Sequence, residues 1–190
     1  MNVGKKIKLC SLLDKGGIKL FNKIDYIENS CYPDDDSDSY IDWEEKIRQH
    51  FFPNHVDDVS DFDRVTTCTY LVSLNKNNEG LSSDALNILL KSEDAYFLEI
   101  SISAEKPLIN ALFYKYPKGR GGQVLETSEE LFLIEHQIIY DKYISFAKNN
   151  NLIVLTGNDL KEKVFLDGRP VSVYYKYFNW AEEDPFDVPY

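Results

Sequence analysis

The chain has 190 residues, 43% of them apolar and 14% aromatic, which is enough for a continuous core and argues against a wholly disordered polymer. Its formal charge of -11 is concentrated: residues 25–63 hold 13 Asp and Glu against Lys46 and Arg48, while the rest of the chain balances at 19 acidic and 19 basic side chains. Such an acidic face argues against nucleic acid as a direct partner, because phosphate neutralisation needs clustered Lys and Arg, and favours basic proteins or cations.

The start, MNVGKKIKLCSLLDKGG, has a basic pair before Cys10, but Lys8 interrupts the apolar stretch before it reaches signal-peptide length. With no spanning run elsewhere, the expectation is a cytoplasmic protein with no membrane partner. Cys10, Cys31 and Cys68 stand in no CxxC or Cys/His arrangement, so neither a disulfide framework nor a structural zinc site is expected. After Gly16 and Gly17, the spacing of Leu20, Phe21, Ile24 and Ile27 predicts a helical N-terminal region. Residues 28–63 read as an acidic segment of helix and loop. Within it Asp42 can cap a helix whose Trp43, Ile47 and Phe51 fall at i, i+4 and i+8, ending before Pro53.

VTTCTYLVSL, residues 65–74, alternates and is rich in β-branched residues, predicting a strand. Ser82 or Ser83 then starts a short helix over 85–90. Strands at 96–103 and 108–116 are separated by Pro107 and should pair as neighbours. Thr127 and Glu130 match a capping box, opening a long helix over 128–148 whose Leu131, Ile134, Ile138, Ile144 and Phe146 form the packed stripe. LIVL, residues 152–155, reads as a buried strand. VFLDGRPVSVYYKYF, residues 164–178, reads as a hairpin turning at Asp167-Gly168, with 170–178 joining the sheet. Residues 181–190 form an acidic aromatic tail. Elements that do not alternate strictly predict one α+β domain over 1–190, with a mixed or mainly antiparallel sheet and one long packed helix.

Within the acidic segment, DDDSDSYIDWEE resembles an EF-hand loop. Counting from Asp34, the ligand positions are met by Asp34, Asp36, Asp38, the Tyr40 carbonyl, Asp42 and Glu45, with Ile41 as the apolar pin. Ser39 replaces the Gly that makes the sharp turn, and Pro33 interrupts the entering helix; these departures favour a solvated acidic loop over a calcium site. No other cofactor is expected. His50 and His55 beside Asp57, Asp58, Asp61 and Asp63 match no metal-ligand spacing and read as surface residues. YPKGRGGQ, residues 116–123, could approach a phosphate through Arg120, yet lacks the Lys-Ser/Thr ending of a P-loop and reads as a connecting loop. Glu135 and His136 are adjacent on a helix and so point about 100° apart, which disfavours an acid/base pair. No GxSxG, HExxH or Cys-His pattern offers a nucleophile, so a non-enzymatic protein is expected.

The aromatic run Tyr174, Tyr175, Tyr177, Phe178 and Trp180, with Phe186 and Tyr190 in the tail, cannot all face one side of a strand. Aromatic rings beside carboxylates have the composition of an interface anchor. The expected partner surface therefore combines Asp57, Asp58, Asp61 and Asp63 with Tyr177, Trp180 and Phe186. In character, chiefly through DDDSDSYIDWEE, VDDVSDFD and FNWAEEDPFDVPY, the chain resembles bacterial immunity proteins that neutralise toxin domains. The resemblance implies an inhibitor whose carboxylates cover the cationic active site of a basic toxin, often a nuclease. A calcium-dependent interaction module built on residues 34–45, and an enzyme using the 119–122 loop, are the alternatives.

Overall fold

The computed structural model describes residues 27, 30, 41–60, 67–75, 80, 84–119, 125–126, 129–178 and 184–186. The helical reading of 18–26 and most of the candidate calcium loop lie outside these residues.

Helix α1 (Ile41–Phe51) buries Trp43, Ile47 and Phe51, the stripe expected from the sequence. It begins one residue earlier than the proposed cap, so Asp42 lies in its first turn rather than before it. The chain then turns through Pro53 into β1 (Val56–Asp58), a strand within the segment whose sequence predicts helix and loop. It is followed by β2 (Thr67–Ser73), α2 (Asp84–Leu89), β3 (Ala95–Ser103) and β4 (Leu108–Tyr116), all close to expectation. These four strands pair in sequence order, each antiparallel to the next. The outer edge of β4 is shared by β5 (Leu125–Glu126), antiparallel, and β6 (Ile153–Val154), parallel, giving a mixed, mostly antiparallel six-stranded sheet and an α+β fold.

Between β5 and β6 runs α3 (Glu129–Asn149), which is two helical pieces joined at His136, whose φ of -135° and ψ of 34° are not helical. On the piece beyond the kink, Ile138 stands about 140° and 180° around the axis from Tyr143 and Ala147. This piece buries Tyr143, Phe146 and Ala147 and half-buries Ile139, Tyr140 and Ile144, leaving Ile138 76% exposed. The expectation that Ile138 sits in the core, read from an uninterrupted period, is therefore corrected. The helix ends in a Schellman motif. Asn151 takes a left-handed φ of 55°, Leu152 N donates to the Ala147 carbonyl (2.8 Å) and Asn151 N to that of Lys148 (3.2 Å).

One face of the sheet, carrying Tyr70, Val72, Leu98, Ile100, Ile102 and Phe113, packs under α1 and α3 as the main core. The other face is divided. Leu71, Ala95 and Phe97 lie under α2, while Leu108 joins a separate cluster built by the C-terminal elements.

Those elements are α4 (Gly157–Lys161), the hairpin β7 (Lys163–Leu166) and β8 (Arg169–Ser172), and α5 (Val173–Tyr177). Asp167 and Gly168 take positive φ of 50° and 79°, the expected tight turn. The hairpin is a sheet of its own, and its second strand stops at Ser172. Residues 173–177 are helix, not the strand that their aromatic and β-branched composition suggested. Ser172 caps the helix by accepting from Tyr175 N (3.0 Å), and Val173 and Tyr177, four apart, both enter the cluster around Leu160 and Leu108. Local β propensity yields here to tertiary burial. Short LIVL also departs from a fully buried strand: Ile153 and Val154 are half-buried, while Leu152 and Leu155 beside them are buried.

Between the two clusters of the second face lies a polar row in register across three strands: Thr69, Ser101 and Asn110. Asn110 is 2% exposed, and among the described residues neither its Nδ2 nor its Oδ1 has a hydrogen-bond partner. Replacing it with Val, of similar size and better strand propensity, should raise stability by about 1–2 kcal/mol, because it removes two desolvated polar atoms. A urea midpoint that falls, at unchanged slope, would contradict this. No helix among the described residues is long and apolar enough to cross a membrane.

Candidate functional site

The acidic segment enters the described structure through α1 and β1. Strand β1 ends the sheet, next to β2 alone, so its side chains flank an edge. Side chains alternate along a strand, which separates the two aspartates: Asp57 lies opposite Leu71 on the α2 face, and Asp58 opposite Tyr70 on the α1 face. The sequence reading had pooled them in one surface; they serve opposite sides of the edge.

Asp57 is half-buried and structurally engaged. Its Oδ1 lies 2.8 Å from His55 Nε2, and a Cβ on Gly80, which has a φ of 114°, would collide with its carboxylate. Asp58 is exposed, and its Oδ1 accepts from Ser60 N (2.9 Å). Glu44, on the first half of α1, pairs with Arg48 at 2.8 Å on an open surface, a geometry that adds little stability. Glu45 accepts from Gln49 Nε2 (2.8 Å) and stays exposed.

Tyr70, opposite Asp58, lies on the face that α1 covers. Burial pushes the Tyr70 phenol well above its ordinary value, and Cys68, Asp58 and Glu44 push it further. Burial likewise drives the Cys68 thiol up to about 11, with Asp58 adding to the rise and a hydrogen bond with Tyr70 opposing it. The thiol is therefore protonated at neutral pH and is not an activated nucleophile. What this corner presents to solvent is the Asp58 and Glu45 carboxylates beside the Glu44–Arg48 pair.

The histidines take structural positions. His50 Nε2 donates to the Lys142 carbonyl (2.8 Å), and its ring packs edge-on to Phe146, stapling α1 to α3. His136 stands at the kink with its ring 4.9 Å from that of Tyr96. Among the described residues no three His, Cys, Asp or Glu side chains are grouped as metal ligands. Of the proposed calcium ligands, Asp34, Asp36, Asp38 and Tyr40 lie outside the described residues, and Asp42 and Glu45 ride on α1.

The glycine-rich loop begins against a carboxylate of the protein itself. Asp94 accepts from Lys115 Nζ (2.6 Å) and from Lys118 N (2.8 Å), bonds that hold its carboxyl below the usual range. Gly119, with a φ of 68°, donates its N–H to the Leu90 carbonyl (3.0 Å). The donors nearest the loop thus serve a protein carboxylate and a protein carbonyl.

Of the expected aromatic anchors, Tyr177 is 1% exposed in the C-terminal cluster and is corrected to a core residue: on a helix it points with Val173 into that cluster. Phe186 is half-buried, edge-on to Tyr174 at 5.8 Å and with Lys161 Nζ 5.7 Å from its ring centre. Asp61, Asp63 and Trp180 lie outside the described residues. Sequence reasoning missed the large apolar side chains that are exposed: Phe52, Val59, Ile88, Ile138 and Phe165. Phe52 had a signal, since in the pair Phe51-Phe52 only Phe51 continues the stripe of Trp43 and Ile47.

No family model, curated protein or solved structure matches the chain.

Proposed function

We propose that the chain is a non-enzymatic binding protein that captures a basic protein through the acidic corner of α1 and β1, in the manner of an immunity protein covering a cationic toxin site. The observation that supports this reading is the exposed Asp58 carboxylate on the edge strand β1, on the sheet face covered by α1, a helix anchored by three buried residues and carrying the exposed Glu45. Carboxylates on rigid elements keep their geometry on encounter, and the surplus of 11 negative charges within residues 25–63 extends their field. Such a field accelerates association with a basic partner more than it slows dissociation.

The test begins with a tagged chain expressed in its native cell and identification of the protein that co-purifies, expected to be basic. On-rates measured across ionic strengths should then fall for Asp58→Asn by about two- to fivefold at low salt and converge with the parent at high salt. Asp57→Asn, on the opposite face and engaged with His55, should have the smaller effect. An acidic partner, or on-rates indifferent to Asp58, would overturn the proposal.

A further inference from the structure

The C-terminal elements hold one another together. Leu160, Val164, Val171, Val173, Tyr177 and Phe178, all from α4, β7, β8, α5 and the residue after it, make up most of their buried cluster. The hairpin is a two-stranded sheet of its own. Thr156 and Asp159 cap α4 reciprocally, Val173 N donates to the Glu162 carbonyl (2.9 Å), and Lys176 Nζ donates to that of Phe165 (2.7 Å). Asp184 closes the unit by accepting from Ser172 and Phe186. None of these bonds involves the six-stranded sheet.

The sheet face beneath the unit is polar. Thr67 stands opposite Ser103, and Ser103, one residue past the Ile102–Ile109 pair, comes opposite Leu108. Thr67 and Ser103 are each 1% exposed. Thr67 Oγ1 donates to the Phe178 carbonyl (2.7 Å), and Ser103 Oγ accepts from Glu105 N (3.3 Å). The next row is Thr69, Ser101 and Asn110, whereas the opposite face of the same strands carries Tyr70, Leu98, Ile100 and Ile102. Leu108 and Ile27 are the buried apolar residues that the rest of the described chain lends to the C-terminal cluster, with Leu155 at the junction.

Separating the unit from the sheet would therefore keep most of its own core and uncover hydroxyls that water re-solvates. Water entering the neighbouring row would also reach the Asn110 amide, whose Nδ2 and Oδ1 have no partner among the described residues. The chain has a place to bend. Leu155 N still donates to the Ile109 carbonyl of β4 (2.9 Å), and the next residue, Thr156, is already the N-cap of α4.

We infer that α4, the β7–β8 hairpin and α5, clasped by Asp184, form a hinged flap that lifts from the sheet as one body about the Leu155–Thr156 junction while the six-stranded sheet stays folded. The flap lies on the face opposite α1, so its motion leaves the acidic corner in place.

The test is thiol labelling of the full chain, with Cys10→Ser and Cys31→Ser throughout. Cys68, 2% exposed in the main core, reports global unfolding. Ser103→Cys and Thr67→Cys, introduced singly, report the seam from two neighbouring strands. Both introduced thiols should react about 100-fold or more faster than Cys68, with equal protection and an equally weak dependence on urea. Hydrogen exchange at Val173, whose N–H bonds Glu162 inside the unit, should show a larger protection factor than the seam thiols, because lifting leaves that bond intact. Seam thiols that react no faster than Cys68 would overturn the inference. So would protections at 67 and 103 that differ by more than about tenfold, the sign of separate fraying, or a Val173 amide no better protected than they are, the sign of a unit that unfolds instead of lifting. If Thr67→Cys also unprotects Cys68, Ser101→Cys in the next row takes its place with the same expected result.

Discussion

Phe146→Ala should destabilise the domain by about 3–5 kcal/mol, whereas Ile138→Asp, eight residues earlier on the same helix, should change stability by less than about 0.5 kcal/mol. Phe146 is 1% exposed and sits where α1 meets α3. Its ring lies 6.1 Å from Trp43, 5.3 Å from His50 and 6.3 Å from Phe51. Removing it leaves a cavity walled by three rings of α1, a helix held to α3 by His50, which limits how far the site can collapse. Ile138 meets solvent beyond the kink, so a charge there needs no desolvation. Denaturant melts of the two variants decide the matter. A large loss at Ile138 would mean that the piece of α3 beyond His136 turns Ile138 into the core.

Asp184→Ala should cost about 2–3 kcal/mol, the second largest effect expected. The Asp184 side chain is buried. It accepts from Ser172 N (2.6 Å), Ser172 Oγ (2.7 Å) and Phe186 N (3.0 Å), with Lys163 Nζ at 3.5 Å. It thus holds the residue that ends β8 and caps α5, and removing it strands a buried N–H. Burial pushes its carboxyl up, but the bonds from Ser172 and Phe186 and the Lys163 charge outweigh burial and hold it below the usual carboxylate range. A carboxyl lowered in the folded state binds protons more readily when unfolded. Its contribution is therefore fully present above the unfolded value of about 3.9 and is lost as pH falls through the folded value. The stability gap between parent and Asp184→Ala should accordingly be constant from neutrality to about pH 5 and narrow in stronger acid. A gap that widens on acidification would show that Asp184 stabilises in its protonated form.

The contrast between Phe146 and Ile138 also marks how far the sequence could be read. Both lie on the helical piece beyond the kink, about 80° apart around its axis, and what separates them is which side of that piece the sheet and α1 cover, not the kink itself. The residues around His136 carry no proline or glycine to announce it, and the ring contact with Tyr96 comes from a distant strand. Similarly, Val56–Asp58 is three residues long and becomes a strand by pairing with β2, which no local pattern of that length can signal. Once it pairs, alternation sends Asp57 and Asp58 to opposite faces, and the acidic cluster that looked continuous in sequence is divided.

Sequence alone determined the elements whose cause is local. The Trp43, Ile47 and Phe51 stripe, the β-branched strand at 67–73, the neighbouring strands on either side of Pro107, the Asp167-Gly168 turn and the asparagine stop at the end of α3 all follow from backbone preference and periodicity. The concentration of negative charge is equally a property of the sequence. Tertiary structure alone decided which apolar residues are covered. It turned 173–177 into a helix capped by Ser172, with Val173 and Tyr177 buried and Tyr175, which a strand would place on the same face, only half-buried, and it left Phe52 and Ile138 uncovered where α1 and α3 meet through His50 and Lys142. The physical reason is range: a few neighbouring residues set φ and ψ, but burial depends on which distant surface arrives to displace water.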